Sequence, residues 1–425
     1  MLGGGTFTSQ NKILLGSYIN FVSQAKATAD VGDRGIVSIA LELNWCADNE
    51  IMKITKADFE KNTMELFGYP YAADEMADIR DIFLNARILY LYRLNSGGKK
   101  AENTMAAAKY TGTRGNDITI VVRKNVDNDS NYDVKTYLGT YLADTQTVTK
   151  ASDLKENAFV TWKDTELTVT AGTKLEGGSN GEVTGQSHSD YLALAESYAF
   201  NCMGTKSEEE SVKKLYVQFT KRMREDVGVK FQTVLYNIKA DTEGVINVKN
   251  ASAVIPWLIG AQGGCLVNAS CTNKLYDGEA VIDANYTQAQ LESAVTSGEL
   301  VFHNVDGEIR ILEDINSLTT LTDEKGEIFR SNQSIRVMDQ IANDIALLFK
   351  KKYLGAIPND KAGRVSLWLD IVKHHQALND MRAIEDFADS DVVVEEGESK
   401  KAVVVSDKVT IVNAMEQLYM TVVVE

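Results

Sequence analysis

The sequence predicts a multidomain α/β protein: a helix-covered mixed sheet, a small inserted β-sandwich or barrel, and extended N- and C-terminal arms. Three observations predict it. At roughly 150 residues per domain, a chain of 425 residues makes about three cores. Between residues 189 and 303 helix-like and strand-like stretches alternate, the texture of a mostly parallel sheet under helices. From 117 to 185 the chain breaks instead into short β-branched runs divided by turn residues, the texture of a small antiparallel β domain.

Taken in order, residues 1–24 are rich in Gly, Ser, Thr, Asn and Gln, with scattered apolar residues (Phe7, Ile13, Tyr18, Phe21) and no helical period, which predicts an extended arm. Residues 25–98 form a small α/β domain that opens with a strand over Gly35–Leu43. Thr55 begins a helix, with its hydroxyl as cap and Asp58 at the third helical position. A second helix follows over 73–85, then a buried strand over Ile88–Leu94. After the Gly97-Gly98 break, residues 99–186 are the β domain, with runs at 118–122, 147–149, 159–162 and 167–170 and a turn-rich exit at Leu175–Gly181.

Residues 187–330 make the larger α/β domain: helices near 189–203 and 207–226, strands over 230–236 and 253–258, a helix over 287–297 and a strand over 299–302. Its most apolar stretch, Ala251–Val267, is interrupted by Ser252, Pro256 and Gln262 and is too short for a bilayer span, so it reads as buried strand and loop. Residues 331–406 form a C-terminal domain led by a helix over 332–353, with Ile335, Met338, Ala342, Ile345 and Phe349 on one face. Residues 407–425 are a second arm. It ends in a strand, Leu418-Tyr-Met-Thr-Val-Val-Val-Glu425, apolar on both faces and therefore expected to be covered. Such an edge recruits other chains.

Composition excludes several classes of function. Hydrophobic residues at 44% and charged residues at 24% match a folded protein and rule out disorder. A net charge of −16 repels a phosphate backbone, so no nucleic-acid partner is expected. The start lacks the basic-then-apolar profile of a signal peptide, which predicts a cytosolic protein with no membrane partner.

Nor does any motif predict catalysis, a metal or a cofactor. The cysteines Cys46, Cys202, Cys265 and Cys271 fit neither a zinc knuckle nor a redox CxxC, and read as reduced, buried thiols. The histidines are His188, His303, His374 and His375, none in the setting of a catalytic triad. His374 and His375 lie on a predicted helix about 100° apart, poorly placed to share a metal, and read as a surface or core pair. Gly260, Gly263 and Gly264 lack the Lys-Ser/Thr of a phosphate loop and predict a tight packing turn. Gly112–Asp117 precedes a strand, so it reads as a turn and not an anion nest. The basic cluster Lys350, Lys351, Lys352, Lys361 and Arg364 stands out in so acidic a chain. It either complements a helix macrodipole or docks an acidic partner.

Several strings, in order, carry a resemblance: Gly4-Gly-Thr-Phe-Thr-Ser9, Asp33-Arg-Gly-Ile36, Lys109-Tyr-Thr-Gly-Thr-Arg-Gly-Asn-Asp-Ile118, Leu175-Glu-Gly-Gly178 and Phe231-Gln-Thr-Val-Leu-Tyr236. Asp314-Ile-Asn316, Ser317-Leu-Thr-Thr320, Tyr353-Leu-Gly355 and Ala414-Met-Glu-Gln-Leu-Tyr-Met420 continue the series. Together they resemble the tail sheath proteins of contractile phages and R-type bacteriocins, particularly those of Gram-positive prophages. The resemblance implies a subtilisin-like, non-catalytic central domain and no cofactor. It also implies hexameric rings stacked around an inner tube protein, capped by baseplate and tail terminator proteins and assembled in a host cytoplasm into a virion or bacteriocin tail.

In that family the arms of different copies pair into a shared sheet, which implies inter-subunit roles for Phe7, Ile13, Tyr18, Phe21, Leu418, Tyr419, Met420, Val422 and Val424. A basic C-terminal region grips the tube, which implies Lys350, Lys351, Lys352, Lys361 and Arg364 as tube-facing residues. A subtilisin-like hydrolase and a monomeric adhesin built on the β domain are the alternatives; the first needs an Asp, a His and a Ser brought together.

Overall fold

The computed structural model describes residues 31–424, so the N-terminal arm with Phe7, Ile13, Tyr18 and Phe21 lies outside the described residues. The chain divides into two compact units. The larger holds residues 32–343, 378–386 and those from 409 onward, and the smaller holds Asp344–Ala377 and Phe387–Lys408.

In the larger unit β1 (Ile36–Leu41), β2 (Ile51–Thr55) and β3 (Ile88–Arg93) begin the central sheet. β1 runs parallel to β3, from Ile36 beside Ile88 to Leu41 beside Arg93, while β2 is the antiparallel edge. Between them α1 (Lys56–Phe67) starts at the expected capping box: Thr55 Oγ1 accepts from the Asp58 amide at 3.1 Å, and the Thr55 amide donates to Asp58 Oδ2 at 3.2 Å. α2 (Ala77–Phe83) follows a 3₁₀ turn at Asp74–Met76.

The inserted β domain has β4 (Ala106–Ala108), β5 (Ile118–Lys124), β6 (Tyr132–Leu138), β7 (Tyr141–Val148), β8 (Val160–Trp162) and β9 (Thr170–Lys174). A four-stranded sheet in the order β7-β6-β5-β9 faces the pair β4-β8, a β-sandwich. Its core is Ile118, Ile120, Val122, Val134 and Leu138 with Trp45 and Phe159. The expected run at 167–170 is shifted: Leu167 is a buried plug and the strand begins at Thr170.

α3 (Gly185–Ala195), β10 (Cys202–Gly204), α4 (Glu210–Arg222), β11 (Gln232–Tyr236), β12 (Val245–Val248), α5 (Ile255–Gly264), α6 (Gln288–Thr296) and β13 (Glu299–Leu300) complete the sheet. Its order is β13-β12-β11-β10-β1-β3-β2, so strands from residues 36–93 and from residues 202–300 share one seven-stranded sheet. Every neighbouring pair is parallel except β2 with β3.

Three readings are corrected here. The strand expected at 253–258 is the start of α5, with Pro256 in its first turn, because an all-round apolar run carries no period and suits a helix buried on every side. The predicted turn at Gly260, Gly263 and Gly264 is the same helix, although the tight packing is present. A Cβ on Gly260 would lie 2.5 Å from the Ile82 carbonyl oxygen, one on Gly264 2.1 Å from that of Asn85, and one on Gly263 2.4 Å from Val37 Cγ1. Glycine therefore lets α5 lie flush on β1 and on the end of α2. The helix near 189–203 also ends early, at Ala195, and Cys202–Gly204 become a strand buried on both faces.

β14 (Phe302–Val305) and β15 (Glu308–Ile311) form a hairpin. Beyond it lies a buried polar knot built on the Asp314-Ile-Asn316 string. Asp314 Oδ1 accepts from Gln262 Nε2 at 2.6 Å and Asn332 Nδ2 at 3.0 Å; Oδ2 accepts from the Cys271 amide at 2.9 Å and Arg336 Nη2 at 3.2 Å. Arg336 donates further to Gln262 Oε1 and to the Ala269 carbonyl, both at 2.7 Å. A carboxylate and a guanidinium this deeply buried are tolerable only because each is both paired and hydrogen-bonded.

α7 (Asn332–Leu348) ends in a π turn at Phe349–Tyr353, and α8 spans Lys361–Asp380. Within the smaller unit, Leu348, Tyr353, Leu367, Ile371, Val372 and Val392 make the core, with Ile345 and Phe349 packed against it. The larger unit also holds β16 (Ile384–Glu385), and the smaller unit the hairpin of β17 (Val392–Glu396) and β18 (Val403–Asp407). β19 (Thr410–Ile411) returns the chain to the larger unit.

Candidate assembly surfaces

The C-terminal segment is firmly rooted and then bare. β19 pairs antiparallel with β16, and the Val412 amide donates to the Ala383 carbonyl at 3.0 Å. Gln333 on α7 clamps the next turn, donating to the Val412 carbonyl at 3.1 Å and accepting from the Ala414 amide at 2.9 Å. Ser334 donates to Asn413 Oδ1 at 3.0 Å, and Thr272 to Glu416 Oε1 at 2.7 Å.

Past Glu416 the expected strand does not form. Residues 412–424 have no regular structure, and Leu418, Tyr419, Met420, Val422 and Val424 are 86%, 87%, 74%, 68% and 87% exposed. The Tyr419 hydroxyl donates to Gln417 Oε1 of the same segment. The expectation of cover on both faces is thus not met among the described residues, and a strand needs a neighbouring edge for its amides and carbonyls. Each such side chain gains about 1.5–3 kcal/mol when fully buried. Ordering the backbone costs ~1–2 kcal/mol per residue, so burial of these side chains is of the size needed to offset it.

An open sheet edge is also present in the smaller unit. β17 and β18 pair from Val392 beside Asp407 to Glu396 beside Val403, with no third strand among the described residues. Val393, Val404 and Val405 are exposed on this hairpin.

The basic candidates separate into two kinds. Lys350 and Lys351, on the π turn ending α7, are exposed and make no ion pair among the described residues; Lys361, the first residue of α8, is exposed too. A cation at a helix N-terminus opposes the macrodipole, so nothing local stabilises the Lys361 charge. Lys352 instead pairs with Asp370 at 2.6 Å, which raises its pKa, and Tyr353 bonds the same carboxylate. Arg364 donates to Asn359 Oδ1 at 3.0 Å and lies 3.8 Å from Glu396. These last two serve the frame of the smaller unit.

The sequence reading missed two neighbouring features. Val365 and Leu369 follow Lys361 at four-residue spacing on α8 and are exposed, 53% and 58%. Lys400 and Lys401 join Arg364 around a cavity of about 470 Å³ whose other lining includes Phe349, Ile357 and Leu367. The first was visible as an apolar pair between charges, and the second only in three dimensions.

Among the described residues no histidine is hydrogen-bonded to a serine or cysteine. His188 bonds the Tyr216 hydroxyl at 3.1 Å, and burial lowers its pKa. His374 and His375 are core residues, bonded to Asp344 at 3.0 Å and Asp407 at 2.7 Å, with no serine hydroxyl against either ring. Among the described residues no cluster of three or more His, Cys, Asp or Glu is placed to hold a metal, and no helix is long and apolar enough to cross a membrane.

Comparison with known proteins gives the family. Consecutive stretches match the tail sheath protein Gp18 domain III N-terminal region (34–94), the phage tail sheath protein β-sandwich domain (95–180), its central domain (181–317) and the phage tail sheath C-terminal domain (324–425). The sheath tail protein of Desulfitobacterium hafniense, of known crystal structure, is 36% identical and superposes with a TM-score of 0.79 over 89% of this chain and 93% of that one. This chain belongs to the phage tail sheath family.

The phage-like element PBSX protein XkdK of Bacillus subtilis is 29% identical to it across 99% of both chains. The contracted helical sheath of the anti-feeding prophage, at 12% identity and a TM-score of 0.56 over 98% of this chain and 99% of that one, shares the fold. The protein is a contractile tail sheath subunit, a structural component of a phage or phage-like particle and not an enzyme. It assembles with itself and with other tail proteins.

Proposed function

We propose that this chain builds stacked hexameric rings around an inner tube, and that the sheath shortens to drive the tube through a bacterial envelope. Copies are joined by their terminal arms, with residues 418–424 adding as a strand to a neighbour's sheet. The observation that carries this is the rooted but uncovered apolar C-terminal segment. The open β17–β18 hairpin is the receiving edge in the described residues, and repeated head-to-tail addition of this kind builds a helical filament. Phe7, Ile13, Tyr18 and Phe21 supply the second arm.

The central domain is a subtilisin-like fold without its chemistry, and the stroke needs no cofactor if the extended lattice is metastable toward a contracted one that buries more surface. Baseplate and terminator proteins close the two ends of the sheath, which is assembled in a host cytoplasm. Deleting residues 418–425 tests the arm: negative-stain microscopy should show a folded subunit that makes no tubes, and normal tubes would refute it.

Lys350, Lys351 and Lys361, with Val365 and Leu369, are the tube-facing candidates; Lys352 and Arg364 position them. Reversing Lys350 and Lys351 to Glu should abolish co-sedimentation with the tube at low salt while leaving sheath polymers intact. Unchanged binding at low and moderate salt would remove these lysines from the interface.

A further inference from the structure

Cys265 and Cys271 lie together although they fit no sequence motif. Cys265 ends α5, and its amide donates to the Ala261 carbonyl at 2.9 Å; the Cys271 thiol reaches that same carbonyl at 3.8 Å. The Cys265 thiol turns the other way along the loop, to the Ala269 carbonyl at 3.4 Å, so both cysteines close onto the same short stretch of backbone. The loop between them is held at both ends. Arg34 Nε donates to the Cys265 carbonyl at 2.8 Å, Arg336 Nη1 to the Ala269 carbonyl at 2.7 Å, and the Cys271 amide to Asp314 at 2.9 Å.

Two guanidiniums and the Asp314 carboxylate thus hold the backbone of a loop that carries one partly exposed thiol and one buried one. Cationic surroundings and partial exposure are the conditions that separate a reactive thiol from a structural one. The neighbouring Cys271 thiol, with Arg336 and Arg34, lowers the Cys265 pKa against the opposing effects of burial and Asp314, whereas the Cys271 thiol is pushed up by Cys265 and by burial. Cys46 and Cys202 are buried, and both are pushed up to about 12. Of the four cysteines only Cys265 is partly exposed, and it shares its loop with Cys271.

We propose that Cys265 and Cys271 form a peroxide-reactive dithiol, a modification site in which Cys265 attacks a hydroperoxide and Cys271 resolves the product. In the first step the Cys265 thiolate takes the distal oxygen of ROOH and one proton is taken up, giving a sulfenic acid and ROH. In the second the Cys271 sulfur displaces the hydroxyl, its proton leaving with it as water, and an S–S bond closes. The two thiols lose two electrons and the peroxide gains them. The resulting ring fixes the residue before Thr272, whose hydroxyl holds Glu416 at the root of the C-terminal segment.

The test treats the purified full-length chain with hydrogen peroxide, alkylates free thiols, digests without reductant and maps the peptides by mass spectrometry. An intrachain Cys265–Cys271 disulfide is expected, with Cys46 and Cys202 alkylated only after denaturation. Cys271→Ser should leave a dimedone-reactive sulfenic acid at Cys265, and Cys265→Ser should leave Cys271 unoxidised. In the untreated protein, alkylation of Cys265 should proceed at lower pH than that of a free thiol. The proposal fails if Cys265 and Cys271 remain fully alkylatable after a free thiol in the same tube is oxidised. It fails equally if Cys265 titrates as an ordinary thiol near ~8.5.

Discussion

The knot at Asp314 and the C-terminal segment invert the usual arrangement of polarity, one placing charges inside and the other placing apolar side chains outside. In the knot Asp314 receives four donors and Arg336 meets three acceptors, all within the chain, with Arg336 Nε alone left over. In the segment from Leu418 to Val424 no side chain is covered. The difference teaches where this molecule is finished. The knot completes a fold, while the segment is left without cover among the described residues.

Breaking the knot should give the largest change in subunit stability. Arg336→Met strands the Asp314 carboxylate in a dry site and should cost about 3–5 kcal/mol in denaturant unfolding. A double variant, Arg336→Met with Asp314→Leu, should recover part of that loss; no recovery would mean the pair is not the source of the cost.

Asp81 sharpens the comparison as a buried carboxylate with less compensation. Only the Glu279 amide donates to it, at 2.9 and 3.2 Å, and burial, with the Glu279 charge adding, pushes its pKa up to about 6. A carboxyl raised from its unfolded value of about 3.9 stabilises the fold while protonated, below pH ~4, and that contribution is lost as pH rises through 6. Asp81→Asn should therefore gain stability over the parent between pH 4 and 6, seen as a widening gap in urea midpoints. A gap that stays constant across that range would exclude the titration.

The smallest effect on the subunit belongs to the exposed segment. Val422→Asp should shift unfolding by less than about 0.5 kcal/mol, as for any exposed site. Tube formation should nevertheless be lost. A substantial destabilisation of the isolated subunit would show that Val422 already has a partner within one chain.

Much of the fold was legible where local chemistry and final position agree. The Thr55–Asp58 cap, the strand at Ile88, the β-branched runs of the sandwich and the helix at 288–296 all follow rules that act within a few residues. α5 was misread because helices and strands buried on all sides share one apolar texture. β10 was missed because a three-residue strand shows no alternation; only its neighbours β1 and β11 make it a strand. The candidate lysines stood out in so acidic a chain, yet Lys352 and Arg364 were separable from Lys350 only once Asp370 and Glu396 were in place.

Periodicity, capping residues and an apolar final run were determined along the chain, because each depends on steric and solvation preferences of near neighbours. The sharing of one sheet by residues 36–93 and 202–300, the meeting of Cys265 with Cys271 and the four-donor site of Asp314 were decided only in three dimensions. They join groups far apart in sequence or turned together by a loop, and such encounters depend on which surfaces pack, a choice no local window contains.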